Sequence, residues 1–148
     1  MHVIQVEFYL SNYTRSVDVT MALGKLSYGG YEANLASALR LVYSRVFTTS
    51  DGARLDDPEV ARLAVVFTES PSVNLTATLA EATATRKAGI GIVTVGIGTA
   101  VDSYELSAVA SYPYERTMFL VDRLAGLSAV SDPIKRIICR GIYSYLSE

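Results

Sequence analysis

Leu63-Ala64-Val65-Val66-Phe67 and Ile90-Gly91-Ile92-Val93-Thr94-Val95-Gly96-Ile97 are short, continuous apolar runs rich in β-branched residues, and together they decide the fold. A strand with one wet face alternates apolar and polar residues, whereas an unbroken run suits a strand covered on both faces, the habit of parallel sheets. Between the two runs, Leu75, Leu79, Ala82 and the stem of Arg86 share one helical face. Gly89, directly after Arg86-Lys87-Ala88, supplies a left-handed stop beside favourable dipole charges. Strand, helix and strand make a parallel unit, with residues 63–67 expected as a central strand.

Working outward, Asp102 and Glu105 stand three residues apart as a capping-box-like start for a short helix carrying Leu106, Val109 and Ala110, which Pro113 ends. Met118-Phe119-Leu120-Val121 reads as a further strand. Ile134, Ile137, Ile138 and Ile142 are spaced for a last amphipathic helix with Pro133 at its first turn. Upstream, Leu35, Ala38, Leu39, Val42 and Val46 line one face of a helix that begins after Gly29-Gly30, and Ser50-Asp51-Gly52 closes that region. Nearer the start, Ile4, Val6 and Phe8 alternate with Gln5 and Glu7, and Val17-Asp18-Val19-Thr20-Met21 repeats the alternation after the turn residues Ser11 to Thr14, which predicts an antiparallel hairpin. The expected class is α/β: a three-layer, doubly wound, mostly parallel sheet with that hairpin as its antiparallel edge, in one domain over residues 1–148. Ligands of such sheets bind at the carboxyl ends of the strands, so the loops after Phe67 and Ile97 are the first candidates.

Composition narrows the function. The 148 residues are 50% hydrophobic, enough for a sizeable core, and 13 Lys plus Arg against 15 Asp plus Glu give a formal net charge of -2. Basic residues are scattered, which argues against nucleic acid as a partner. Mean hydropathy is +0.27, yet Gly, Thr and charged residues interrupt every apolar stretch short of the roughly 18 to 20 residues a membrane span needs, so no membrane insertion is expected. Residues 1–9 carry no basic segment followed by a long apolar one, and read literally they leave the chain in the cytoplasm. Asn12-Tyr13-Thr14 and Asn74-Leu75-Thr76 are glycosylation acceptors in a secreted protein, with Asn12 and Asn74 as the carriers. The single cysteine, Cys139, is either a buried or half-buried small hydrophobe or a thiol whose partner is missing.

Enzyme chemistry finds little support. The one histidine is His2 beside the initiator, far from the company a nucleophile needs. Gly96-Ile97-Gly98 follows a strand as a dinucleotide fingerprint would, but Thr99-Ala100-Val101 lacks the third glycine. There is no Gly-Lys-Ser/Thr phosphate loop, no cysteine pair and no histidine at metal-ligand spacing. Thr68-Glu69-Ser70 puts one carboxylate and two hydroxyls where a hard cation such as Mg²⁺ finds oxygen ligands. Alone, such a loop also suits a solvated turn.

Taken in order, the segments starting at Leu63, Arg86, Glu105 and Met118 resemble successive strands and helices of a von Willebrand factor A domain, in the style of matrilin-like and collagen VI-like matrix proteins. Val6-Glu7-Phe8-Tyr9-Leu10-Ser11 resembles that family's second strand. Leu26-Ser27-Tyr28-Gly29-Gly30 with Leu35-Ala36-Ser37-Ala38-Leu39 resembles its glycine-bearing loop and the helix that follows. The chain departs from the family in lacking the first strand and its Asp-x-Ser-x-Ser motif. At the second metal loop the family's threonine aligns with Leu35, or with Asn34 if the loop shifts by one, and Glu69 stands where the family has aspartate. The resemblance therefore implies a metal-dependent adhesion site that is degenerate, with Glu69 and Asn34 as the remaining metal-side ligands. No cofactor is expected, Mg²⁺ being the sole candidate.

A cysteine just before the first strand often pairs, in that family, with one after the last helix, which implies a disulfide from Cys139 to a partner outside this chain. The missing strand, the missing leader and the lone cysteine share one account, an N-terminally truncated piece of a longer secreted protein; a cytoplasmic descendant with reduced Cys139 is the alternative. What the resemblance implies for function is a non-enzymatic adhesion or protein-interaction module of the extracellular matrix, with a matrix protein such as collagen as partner. Tyr28, Tyr31, Asn34, Glu69, Ser70 and Tyr104 are its expected contact residues, since tyrosine joins a large contact area to a polar tip. A homo-oligomer is an open outcome. The competing expectations are a nucleotide- or small-ligand-binding α/β protein and a structural fragment without a site.

Overall fold

The computed structural model describes residues 4–27 and 32–140. Among these residues three strands form one parallel sheet in the order β1 (Arg62–Thr68), β2 (Ile90–Ile97), β3 (Met118–Val121). The register runs from Arg62 opposite Ile90 to Thr68 opposite Gly96, and from Thr94 opposite Met118 to Ile97 opposite Val121. Among the described residues six helices accompany the sheet: α1 (Ser16–Leu23), α2 (Leu35–Leu41), α3 (Leu75–Lys87), α4 (Ser103–Val109), α5 (Tyr114–Thr117) and α6 (Leu127–Arg140). A π turn over Val42–Val46 prolongs α2.

The middle strand explains the layering. Residues 90–96 of β2 are all buried, and successive side chains point to opposite faces. Val93 and Val95 meet Ile134 and Ile137 of α6, with Leu63, Val65, Phe119, Leu127 and Val130 packed around them. Ile92 points the other way, to Leu39 of α2, Ala82 of α3 and Val109 of α4. Each face of β2 is thus sealed by helices, and an unbroken apolar run is the sequence that such a position demands. Gly96 fits the same picture: a Cβ there would stand 2.6 Å from Leu106 Cδ1 and 2.8 Å from Leu120 Cδ2. Its glycine serves close packing.

Local signals set the ends of α3. Asn74 Oδ1 accepts from Ala77 N at 3.0 Å at the start, and Gly89 takes φ +78° beyond the end. Arg86 then reaches across to α4, donating to the carbonyls of Val109 at 2.6 Å and Ala108 at 3.2 Å, which satisfies that helix's C-terminus. Burial holds the Arg86 guanidinium below the usual arginine pKa.

The antiparallel hairpin does not form. Residues 17–21 lie in α1, where Arg15 grips Asp18 with two hydrogen bonds of 2.8 Å across the first turn and Thr20 Oγ1 donates to Ser16 O at 3.0 Å. These local bonds favour a helix although Val17, Val19 and Met21 alternate like a strand. Residues 4–10 hold no strand either, and Phe8 meets Tyr13 edge to face instead, with ring centres 5.4 Å apart. Three further expectations need correcting. Among the described residues β1 is an edge strand rather than a central one. The last helix begins at Leu127, so Pro133 lies inside it. Ile138, read as part of the buried face, is 55% exposed.

Candidate interaction surface

The loops after β1 and β2 and the segment leading into α2 are tied together. Val73, in the loop after β1, donates its backbone N–H to Ala33 O at 3.1 Å, which fixes the approach to α2. Ser72, in the same loop, donates its N–H to Glu105 Oε2 at 3.0 Å, which fixes the start of α4. Ser72 Oγ also accepts from Thr78 Oγ1 at 2.9 Å. Glu105 is 4% exposed, and its Oε1 has no hydrogen-bond partner among the described residues. Asp102 caps α4 as expected, Oδ1 accepting from Tyr104 N at 2.9 Å and Glu105 N at 3.2 Å. The reciprocal half of a capping box is absent, because the Glu105 side chain turns to Ser72.

These ties bring Asn34, Glu69, Ser70 and Tyr104 to one end of the sheet. Tyr104 is 66% exposed, Glu69 is exposed, and Asn34 and Ser70 are half-buried. Tyr28 and Tyr31 lie outside the described residues. Asn34 Oδ1 already accepts from Ser37 N at 3.1 Å, as the N-cap of α2. Thr68 Oγ1 donates to Ser70 O at 2.8 Å and accepts from Ser70 N at 3.3 Å, a closed local turn. Glu69 is exposed at this end, and no group of three or more His, Cys, Asp or Glu gathers among the described residues. Of the two expected ligands, Asn34 is engaged as a cap and Glu69 offers one carboxylate, fewer donors than the octahedral oxygen shell of Mg²⁺ takes.

The other expected positions are separate. Asn12 is exposed, its Oδ1 accepting from Tyr9 N at 2.6 Å; Asn74 is exposed at the start of α3. Cys139 is exposed and free, which corrects its reading as a buried hydrophobe. No helix among the described residues is long and apolar enough to cross a membrane.

The support beneath the surface includes a contact that no local pattern announces. Glu81 of α3, 8% exposed, accepts from Arg40 Nε at 2.9 Å and from Tyr43 Oη at 2.8 Å, with Arg40 Nη2 closing a second bond to Oε1. Arg40 first, and Tyr43 next, hold the Glu81 carboxyl below the usual glutamate range against the opposing effect of burial. The pair is separated by 41 residues, so no spacing rule reaches it. A depressed carboxyl pKa stabilises the fold above the ordinary glutamate value, and that contribution disappears as pH falls through the lowered one. Glu81→Gln is therefore expected to lower the Tm near neutral pH and to shrink the loss of Tm on going to about pH 3. Melting curves of both chains across that range check it.

A parallel sheet sealed by helices on both faces, with its loops bound together at the carboxyl ends, defines a doubly wound domain. Residues 2–133 match the von Willebrand factor type A domain, and the chain belongs to that family. Mouse matrilin-2 is 28% identical over 140 residues, covering 94% of this chain and 14% of that protein. Mouse collagen alpha-4(VI) chain is 28% identical over 137 residues, covering 91% of this chain and 6% of that one. The chain thus spans a small part of the length of these relatives. Among solved structures, proximal thread matrix protein 1 from the mussel byssus superposes with a TM-score of 0.79 at 18% identity, over 90% of this chain and 33% of that one. A further structure of the mussel protein has a zinc-occupied MIDAS motif.

Proposed function

We propose that this chain is a non-enzymatic protein-interaction module of extracellular-matrix type, which binds a matrix protein such as collagen through the loops at the carboxyl ends of its strands and does so without a metal ion. The observation that carries the proposal is the pair of bonds, Val73 N to Ala33 O and Ser72 N to Glu105 Oε2, that holds the loops after β1 and β2 and the segment leading into α2 as one surface around exposed Tyr104 and Glu69. Preorganised loops lose little entropy on binding, and an exposed tyrosine contributes area and a polar tip. Similarity to matrilins and a collagen VI chain supports both the matrix setting and secretion. The metal site is read as degenerate because Asn34 serves as a cap and no group of three or more His, Cys, Asp or Glu gathers among the described residues. In this reading Tyr28 and Tyr31 are further contact residues by sequence alone, Asn12 and Asn74 carry glycans, and Cys139 pairs outside the chain.

The test is binding of the purified chain to immobilised fibrillar collagen and to matrilin, in EDTA and in millimolar Mg²⁺, beside Tyr104→Ala and Glu69→Ala. Saturable binding that EDTA leaves unchanged, and that Tyr104→Ala weakens by about fivefold or more, is the expected result. Binding that requires Mg²⁺ and vanishes in Glu69→Ala overturns the metal-free reading. Absence of binding to either protein overturns the choice of partner.

A further inference from the structure

Two exposed apolar side chains flank one residue on the loop that leads from β1 into α3. Val73 is 54% exposed and Leu75 is 37% exposed, and Asn74 stands exposed between them. A single exposed apolar residue is ordinary, but this segment is held in place just before Asn74. Val73 N donates to Ala33 O at 3.1 Å and Ser72 N donates to Glu105 Oε2 at 3.0 Å, so turning the pair inward would break the ties that join the loop to α2 and α4.

The Asn74 side chain uses only its oxygen. Oδ1 accepts from Ala77 N at 3.0 Å as the N-cap of α3, and because a backbone N–H pairs with the oxygen of an amide, the side-chain nitrogen is turned away from the helix. That nitrogen makes no hydrogen bond among the described residues. Thr76, which completes the acceptor tripeptide, is exposed in the first turn of α3. An N-linked sugar replaces one hydrogen on the nitrogen and leaves the carbonyl oxygen as an acceptor, so the cap and the modification coexist. Asn12 also accepts through Oδ1, from Tyr9 N at 2.6 Å, but its surroundings differ: Ser11 N is bonded to Asp51 O, and Tyr13 rests on Phe8.

We infer that a glycan on Asn74 covers Val73 and Leu75 and confines the partner to the Tyr104 side of the carboxyl-end surface. This rests on the reading of the chain as a secreted interaction module. In the modification itself, Asn74 Nδ2 attacks the anomeric carbon of a lipid diphosphate-linked oligosaccharide. A nitrogen–carbon bond forms, the carbon–oxygen bond to the diphosphate breaks, the nitrogen gives up one proton, and the lipid diphosphate leaves. The sugar is bulky and solubilising, and its C–H faces suit an apolar pair that would otherwise meet water. Tyr104 stands on the far side of the Ser72 to Glu105 bond from Asn74, next to Glu105 in α4, and stays open.

The full chain, secreted from cultured animal cells, is compared with Thr76→Ala and Thr14→Ala, and with the same chain after enzymatic hydrolysis of the glycosylated amide. That hydrolysis leaves an aspartate at position 74 and so keeps an N-cap oxygen. Intact mass reads occupancy, and hydroxyl-radical footprinting reads side-chain exposure without any partner. Expected are a sugar on Asn74 that Thr76→Ala removes, and oxidation of Val73 and Leu75 about threefold lower in the sugar-bearing chain than in the hydrolysed one, with Tyr104 unchanged. Binding to fibrillar collagen should be about fivefold tighter after hydrolysis and in Thr76→Ala, while Thr14→Ala leaves it as it was. An unmodified Asn74, footprints at Val73 and Leu75 that hydrolysis leaves unchanged, a Tyr104 footprint that rises with theirs, or equal collagen binding by both forms overturns the inference. Absence of collagen binding in every form overturns the choice of partner instead, and the footprints then decide whether the sugar covers the pair.

Discussion

Ile137→Asp is expected to remove cooperative thermal unfolding or to lower the Tm by roughly 15 °C or more, the largest effect of any substitution considered. Ile137 has no exposed surface and stands with Ile134 against Val93 and Val95, so α6 is bound to the sheet through these contacts. Aspartate loses the apolar contacts, worth about 2 to 5 kcal/mol for a large side chain, and leaves a carboxyl group buried without partners at about 1 to 3 kcal/mol more. Total stability of a domain this size is about 5 to 15 kcal/mol, so the sum consumes much of it. Circular dichroism melts check the result. A fall in Tm of less than about 5 °C would mean that α6 does not rest on the sheet as described. Ile138→Asp, one residue on but exposed, serves as the matched control and should cost little.

The second large effect lies on the opposite face. Leu39 is 1% exposed and fills the space among Ala82, Ile92 and Val109, where α2 crosses α3 and the sheet. Leu39→Ala leaves a cavity and is expected to cost about 2 to 5 kcal/mol, a Tm loss near 10 °C. Leu39→Met, which conserves volume, should cost less than about 1.5 kcal/mol. The consequence reaches the interaction surface, because α2 carries Asn34 at its start and the Ala33 carbonyl that receives Val73 N. Backbone chemical shifts at residues 33–34 and 72–74 should move in Leu39→Ala and stay in Leu39→Met. Unmoved shifts in the alanine variant would separate the loops from the core.

Much of this architecture was legible along the chain. Residues 63–67 and 90–97 announce doubly covered strands because an unbroken run of β-branched and apolar residues has no wet face to offer. The helix between them is ended by Gly89, whose local chemistry acts within one turn, whereas Asn74, read along the chain only as a glycosylation acceptor, turns out to cap its start. Likewise Asp102 marks the start of α4 by bonding its own next turn. The N-terminal segment misled for an equally local reason, since period-two alternation over five residues cannot outweigh the Arg15 to Asp18 pairing and the Thr20 hydroxyl bond. Pro133 misled because a proline suits the first turn of a helix, while Leu127 and Val130, already on the apolar face, carry α6 two turns further back.

What the sequence by itself determined was the class of the domain, the family resemblance and which loops end at the carboxyl side of the strands, since periodicity and capping are written within a few residues of each other. The tertiary structure alone decided that Glu81 of α3 bonds to Arg40 and Tyr43, and that Glu105 turns from its own helix cap to Ser72. Each of these depends on groups that are distant along the chain, and the physical reason is the same throughout. Local bonds fix elements, whereas burial, pairing and unpaired edges exist only once the elements share a common core.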